Sequence, residues 1–240
     1  PLPTAIAALL QAMVPASFFT DQELFTFAVR ELVLLTCEHG VTPGSAYPLA
    51  FCGFMQAESG NPDAGRRLAE QAIVLSEGRD EPGFLCQVLF TFAHHINHWG
   101  APVFNNVALF RAAERAGMEA GDHQWAGYAM TGLLLNLPSA ARSLGEIIDE
   151  CRRVIPFLKE TRNDPMLAMA RPVRQFARWL RGETEHEMSD AGFDADAFEA
   201  AVLRDPTLAV AWFQLGNART DTGADDARDA WCRAAQLDLR

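Results

Sequence analysis

The chain has 240 residues, of which 49% are hydrophobic and 21% charged, which supplies a sizeable core and excludes an intrinsically disordered chain. A net charge of −11 disfavours nucleic acid, whose affinity comes mainly from neutralised phosphates, and the absence of a run of about 18 uninterrupted apolar residues argues against a membrane span. The chain starts at Pro1 with no basic-then-apolar leader, so it reads as a cytoplasmic protein or an excised domain. Cys37, Cys52, Cys86, Cys151 and Cys232 are odd in number and scattered without C-x-x-C spacing, as expected of free thiols in a reducing compartment.

Helical periodicity runs through the chain, and no segment shows strict alternation bounded by hairpin signals, so the fold is expected to be all-α. Turn and cap signals fall at Gly40 to Gly44, Gly60 to Pro62, Gly78 to Pro82, Gly100 to Pro102, Gly121, Pro138, Asp164 to Pro165, Gly182 to Gly192, Pro206 and Gly223. They divide the chain into roughly a dozen helices. First helices of pairs starting near Ser45, Gly83, Gly121, Pro165 and Pro206 recur at about 40-residue steps, the period of a helix-pair solenoid. The expected architecture is an α-solenoid of about five to six pairs, whose units bury their apolar faces on their neighbours.

From Phe84 to Trp99 the apolar residues Leu85, Val88, Leu89, Phe92, Ile96 and Trp99 recur at helical spacing. Gln87, Thr91, His94 and His98 are predicted to line the other side. Ile147, Ile148, Cys151, Val154, Ile155 and Leu158 repeat this one-sided pattern, with Asp149 and Arg153 four apart as an expected ion pair. The division that follows is a helical repeat region over 1–182, an acidic linker over 183–194, and a last unit over 195–240.

In that last unit Phe198, Ala201 and Pro206 have the spacing of a tetratricopeptide second helix, and Trp212, Leu215 and Gly216 form the W-x-x-L-G that opens another. Arg219 and Leu239 depart from the pattern, standing where an aromatic and a proline are usual. From Leu9 to Ala230 the chain resembles the helical region of large bacterial multi-domain signalling proteins. In those, a Ser/Thr-kinase-like domain and an AAA-type ATPase precede this region, and sensor histidine-kinase modules often follow it. The resemblance is carried by Phe18-Phe19-Thr20-Asp21, Glu23-Leu24-Phe25, Glu38-His39-Gly40, Ser45-Ala46-Tyr47, Ile96-Asn97-His98-Trp99, Glu119-Ala120-Gly121-Asp122 and Ala126-Gly127-Tyr128. It implies a bacterial signal-transduction setting and gives Asn97, His98, Trp99, Trp212, Leu215 and Gly216 structural roles.

Two clusters invite a functional reading. His94, His95 and His98 include an H-x-x-x-H pair but have no third ligand of the right kind nearby and no H-E-x-x-H glutamate. A polar helix face is the better reading, with His98 bonding a neighbouring element and Trp99 packing the helix end on the next unit. Arg171, Arg174, Arg178 and Arg181 align along one helix face next to Trp179, in the only net-basic part of the chain. They are either a solvated face neutralised by Glu183, Glu185, Glu187, Asp190, Asp194 and Asp196, or a strip for an acidic protein or peptide. Gly127 and Gly132, inside a helix, point to close helix approach.

There is no phosphate loop, kinase motif, nucleophile elbow or paired-carboxylate motif. The expected function is therefore a non-catalytic interaction or regulatory scaffold without a cofactor. Its partner would be a protein or peptide, or an adjacent domain of the same parent chain, and not nucleic acid or membrane. The competing readings are a ligand-sensing effector domain of an ATPase-linked transcription activator and, least favoured, a metal-dependent hydrolase centred on the histidines.

Overall fold

The computed structural model of the chain describes residues 2–184 together with 188–189, 193–194, 196–197 and 200. Among these it is all-α, with nine α-helices and no strand: α1 (Leu2–Thr20), α2 (Gln22–His39), α3 (Ala46–Glu58), α4 (Pro62–Gly78), α5 (Pro82–Thr91), α6 (Asn106–Glu119), α7 (His123–Ala140), α8 (Leu144–Glu160) and α9 (Asp164–Leu180). The starts of α3, α5, α7 and α9 lie within two residues of the expected positions. The unit expected over 195–240, with Trp212, Leu215 and Gly216, lies outside the described residues.

Local chemistry explains most of the boundaries. Asn61 Oδ1 accepts from the Ala64 amide at 3.3 Å and Pro62 follows at the first helical position, so α4 starts there. Before α8, Ser143 Oγ accepts from the Glu146 amide at 3.3 Å while the Glu146 carboxylate accepts from the Arg142 amide at 3.0 Å. Asp21 Oδ1 accepts from the Leu24 amide at 2.9 Å and separates α1 from α2, a break the turn signals miss because neither glycine nor proline stands at it.

Three expectations need correction. Pro138 does not end a helix, because α7 runs through it to Ala140. Phe84 to Trp99 is not one regular helix. α5 stops at Thr91, Phe92–Ile96 forms a π-helical turn, and Asn97–Trp99 is 3₁₀. Asp149 pairs with Arg152 at 2.7 Å rather than with Arg153, which pairs with Glu150.

The chain forms two compact units, Pro1–Ala140 and Ala141–Arg240. In the first unit, α3, α5 and α7 lie side by side, and α1 joins α3 through Phe18, whose ring is 6.1 Å from Phe51 and 6.2 Å from Phe54. The hairpin of α3 and α4 is closed by backbone contact. A Cβ on Gly65 would lie 2.3 Å from the Gly53 carbonyl oxygen, and one on Gly53 would lie 2.6 Å from the Gly65 carbonyl oxygen. Only glycine at both positions allows this approach. Gly132 does the same for a ring, since a Cβ there would lie 2.5 Å from the Phe110 ring of α6. In the second unit α8 buries Ile147, Ile148, Cys151, Val154, Ile155 and Leu158 and packs on α9, which buries Leu167, Ala170, Val173 and Ala177. Cys86 and Cys151 are buried free thiols, Cys52 is half-buried, and Cys37 is exposed.

Candidate functional site: the aromatic loop closed by Asn97 and Asn106

The first unit contains a chain of side-chain amides linking four elements. Arg66 Nη1 on α4 donates to Asn97 Oδ1 at 3.1 Å. Asn97 Nδ2 then donates to Asn106 Oδ1 at 2.6 Å, and Asn106 Nδ2 donates to Asn136 Oδ1 on α7 at 3.2 Å. The series ends where Asn136 Nδ2 donates to the Gly132 carbonyl at 2.8 Å. Asn97 and Asn106 are each only 2% exposed. A half-satisfied amide in such a place costs about 1–3 kcal/mol, so the head-to-tail order specifies how α4, α6 and α7 meet the π-helical turn.

The central link of this chain closes a loop. Asn97 and Asn106 flank residues 98–105, and their hydrogen bond joins the two ends of that segment. Backbone bonds stiffen the interior: the Gly100 and Ala101 amides donate to the Asn97 carbonyl at 3.1 and 2.9 Å, and the Asn105 amide donates to the Pro102 carbonyl at 3.0 Å. Arg66 backs the loop from α4, with its guanidinium 5.7 Å from the Phe92 ring centroid and 3.4 Å from where a Gly100 Cβ would sit. On this mount Trp99 is 56% exposed, Phe104 59% and Val103 38%. An indole and a phenyl ring left in water this close together in sequence are an exposed apolar feature of the kind found at binding surfaces.

The motif residues Asn97, His98 and Trp99 thus meet in one place, in roles that differ from those expected. Asn97 is the buried member of the amide chain. His98 is exposed and meets the Trp99 ring at 5.3 Å instead of bonding a neighbouring element, and Trp99 faces solvent instead of packing on the next unit. The reason is the π-helical turn, which inserts a residue into the helical count and rotates everything after Phe92.

The same turn carries His94 and His95 inward, against the expectation of a polar face. His95 meets Phe54 at 4.6 Å and Phe18 at 5.6 Å, and His94 stacks on Phe90 at 5.1 Å. Burial, followed by the influence of His98, pushes His94 down to about 4; burial, with His94 and His98 after it, holds His95 well below the usual histidine range. Both are neutral rings in an aromatic cluster that continues through Trp125, 5.6 Å from Phe90, to Tyr128. Thr91, assigned to the same polar side, is fully buried. Among the described residues no group of three or more His, Cys, Asp or Glu could hold a metal ion.

The arginine strip lies on α9 in the second unit. Arg171 is exposed, whereas Arg174 and Arg178 are half-buried. Arg181 Nη2 stands 2.9 Å from Glu183 Oε1, and Arg178 Nη2 donates to the Glu183 carbonyl at 3.0 Å. Trp179 leans on Phe176 at 6.2 Å. Glu183 therefore occupies the carboxy-terminal half of the strip. Glu185, Glu187 and Asp190 lie outside the described residues.

Sequence reading missed Val103, Phe104, Arg66, Asn106 and Asn136. Val103 and Phe104 follow Pro102 within a recognised turn signal and could have been flagged as apolar residues in a loop. Arg66 and Asn106 are partners of Asn97 from 31 and 9 positions away, Asn136 is a partner of Asn106 from 30 positions away, and nothing local marks them.

No protein-family model matches this chain. Over 185 residues, 76% of its length, the chain is 22% identical to a Dictyostelium discoideum protein named hybrid signal transduction histidine kinase G. It spans 5% of that protein's length. No helix among the described residues is long and apolar enough to cross a membrane.

Proposed function

We propose that this chain is a non-catalytic helical interaction domain of the α-solenoid kind, serving as a scaffold within a signal-transduction protein. Its partner is a protein or peptide, or a neighbouring domain of a longer parent, contacted through the loop that displays Trp99, Val103 and Phe104. One observation carries the reading: these exposed apolar side chains stand on a loop already closed by the buried Asn97–Asn106 bond. An aromatic anchor held rigid before contact loses little conformational entropy on binding, and that cost otherwise offsets much of an interface's energy. The side-by-side helices of the first unit support the solenoid architecture, and the histidine kinase named among its relatives supports the signalling setting.

Two of the competing readings draw less support. The cavity bounded by Pro3, Ala7, Leu32, Thr36, Ser45 and Pro48 holds about 10 Å³, room for a single water and not for a small-molecule effector, and the wider space of about 430 Å³ beside Gln22, Glu23, Thr26, Phe27 and Arg30 is an open surface groove that encloses little. The α9 arginine strip remains a second contact only through Arg171 and the outer side of Arg174, because Glu183 engages the rest.

A photo-crosslinking residue placed at Phe104 tests the proposal in the native host. The expected result is a discrete crosslinked product that a crosslinker at Val74, exposed at 62% on α4, does not give. Identical products from the two positions, or none from Phe104, would remove the basis for the assignment.

A further inference from the structure

A second surface stands apart from the aromatic loop. Along α1 the residues Leu2, Ala5, Ile6, Leu9, Ala12, Met13 and Ala16 are all exposed, while Ala7, Val14 and Ser17 face the core. Thr4, Ala8 and Thr20 are exposed as well, outside this line; the seven residues themselves follow a heptad spacing and form a stripe about 21 Å long at 1.5 Å per residue. The whole helix carries no charged side chain, in a chain whose net charge is −11. A helix that is apolar on both sides ordinarily has protein on both sides.

The order of large and small residues says what the second protein is. If two copies of the stripe run antiparallel about a two-fold axis through Leu9, Leu2 falls opposite Ala16, Ala5 opposite Met13, and Ile6 opposite Ala12. Every large side chain then meets a small one, and Leu9 meets its own counterpart on the axis. A parallel pairing would set Leu2 on Leu2 and Ala5 on Ala5, leaving bulges beside gaps. The alanines allow an interaxial distance at the close end of the usual 8–10 Å, and the near-heptad spacing suits a shallow crossing. Because α1 is uncharged, the two acidic copies can meet there without placing like charges in contact. We propose that α1 is an isologous homodimer interface in which two copies pack antiparallel, centred on Leu9.

Sedimentation equilibrium on the 240-residue chain tests this directly. The expected mass is twice that of the chain, retained at high salt, since no ion pairs hold the contact and screening weakens the repulsion between acidic copies. Leu9→Glu, at a position 68% exposed in the single chain, should give a monomer with an unchanged helical circular dichroism spectrum. The two-fold axis adds a sharper test. With Cys37 and Cys232 replaced by Ser, Leu9→Cys should oxidise to a covalent dimer at least tenfold faster than Leu2→Cys, whose opposite position is Ala16. A chain that stays monomeric at hundreds of micromolar overturns the proposal and leaves the stripe to a different helix. Equal crosslinking at positions 2 and 9 overturns the antiparallel arrangement.

Discussion

Replacing Gly65 with alanine tests the closest helix crossing in the molecule. The new methyl carbon would stand 2.3 Å from the Gly53 carbonyl oxygen and 3.0 Å from both the Cβ and the amide nitrogen of Ala57. Two of these neighbours are backbone atoms of α3, so no side-chain rotation relieves the overlap, and the helices must separate by about 1 Å. Overpacking of this kind costs roughly 1–3 kcal/mol. Alanine's better helix propensity returns up to about 1 kcal/mol, leaving a net loss of up to about 3 kcal/mol. Thermal unfolding should move down by up to about 12 °C for a chain of this size. Gly78→Ala supplies the control, because it closes the same helix with nothing within 4 Å of the added Cβ and should match or exceed wild type. A Gly65→Ala protein that melts with Gly78→Ala would show that α3 and α4 do not meet backbone to backbone.

Asn106→Leu should cost about 1–3 kcal/mol by chemical denaturation, because it strands the buried Asn97 amide and removes the donor to half-buried Asn136. A loss below about 0.5 kcal/mol would mean that the amide chain is not formed. The half-buried histidines packed in the aromatic cluster predict a pH dependence: the unfolded chain takes up protons near 6.5, while folded His94 refuses its proton until about 4. Stability present above about pH 6.5 is therefore lost as pH falls, with a slope of up to about 1.4 kcal/mol per unit for each excluded proton. His94→Gln should flatten the slope measured by urea unfolding between pH 6.5 and 4.5, and an unchanged slope would place His94 in water. Asp21→Ala should cost about 1 kcal/mol by removing the cap of α2, and its melting curve would show whether Asp21 separates two helices.

The parts of the fold written in local chemistry were legible. Prolines mark the starts of α4 and α9, and one-sided spacing identifies α8 down to the six apolar residues it buries. Non-local features were not legible. Nothing near Phe92 announces a π-helical turn, yet that turn decides that His94 and His95 pack half-buried against the aromatic cluster while Trp99 faces solvent. Pro138 breaks a helix by rule, but α7 ends at Ala140, so the proline interrupts only its last turn and the helix closes two residues later. Gly53 and Gly65 look like two weak helix positions until the hairpin sets one against the other. Arg171, Arg174 and Arg178 lie on α9 and Arg181 caps its end, whereas the closure of the strip by Glu183 depends on how the chain turns after Leu180.

The most direct test of the interaction role compares the proteins that co-purify with the wild-type chain, with Trp99→Ala/Phe104→Ala, and with Val74→Ala from the native host, quantified by mass spectrometry. Both variants alter exposed positions and should keep the wild-type melting temperature within about 2 °C. The double variant is expected to lose at least tenfold of a defined partner that Val74→Ala retains. The same partner at the same level in all three preparations would contradict the assignment of this loop as the docking surface.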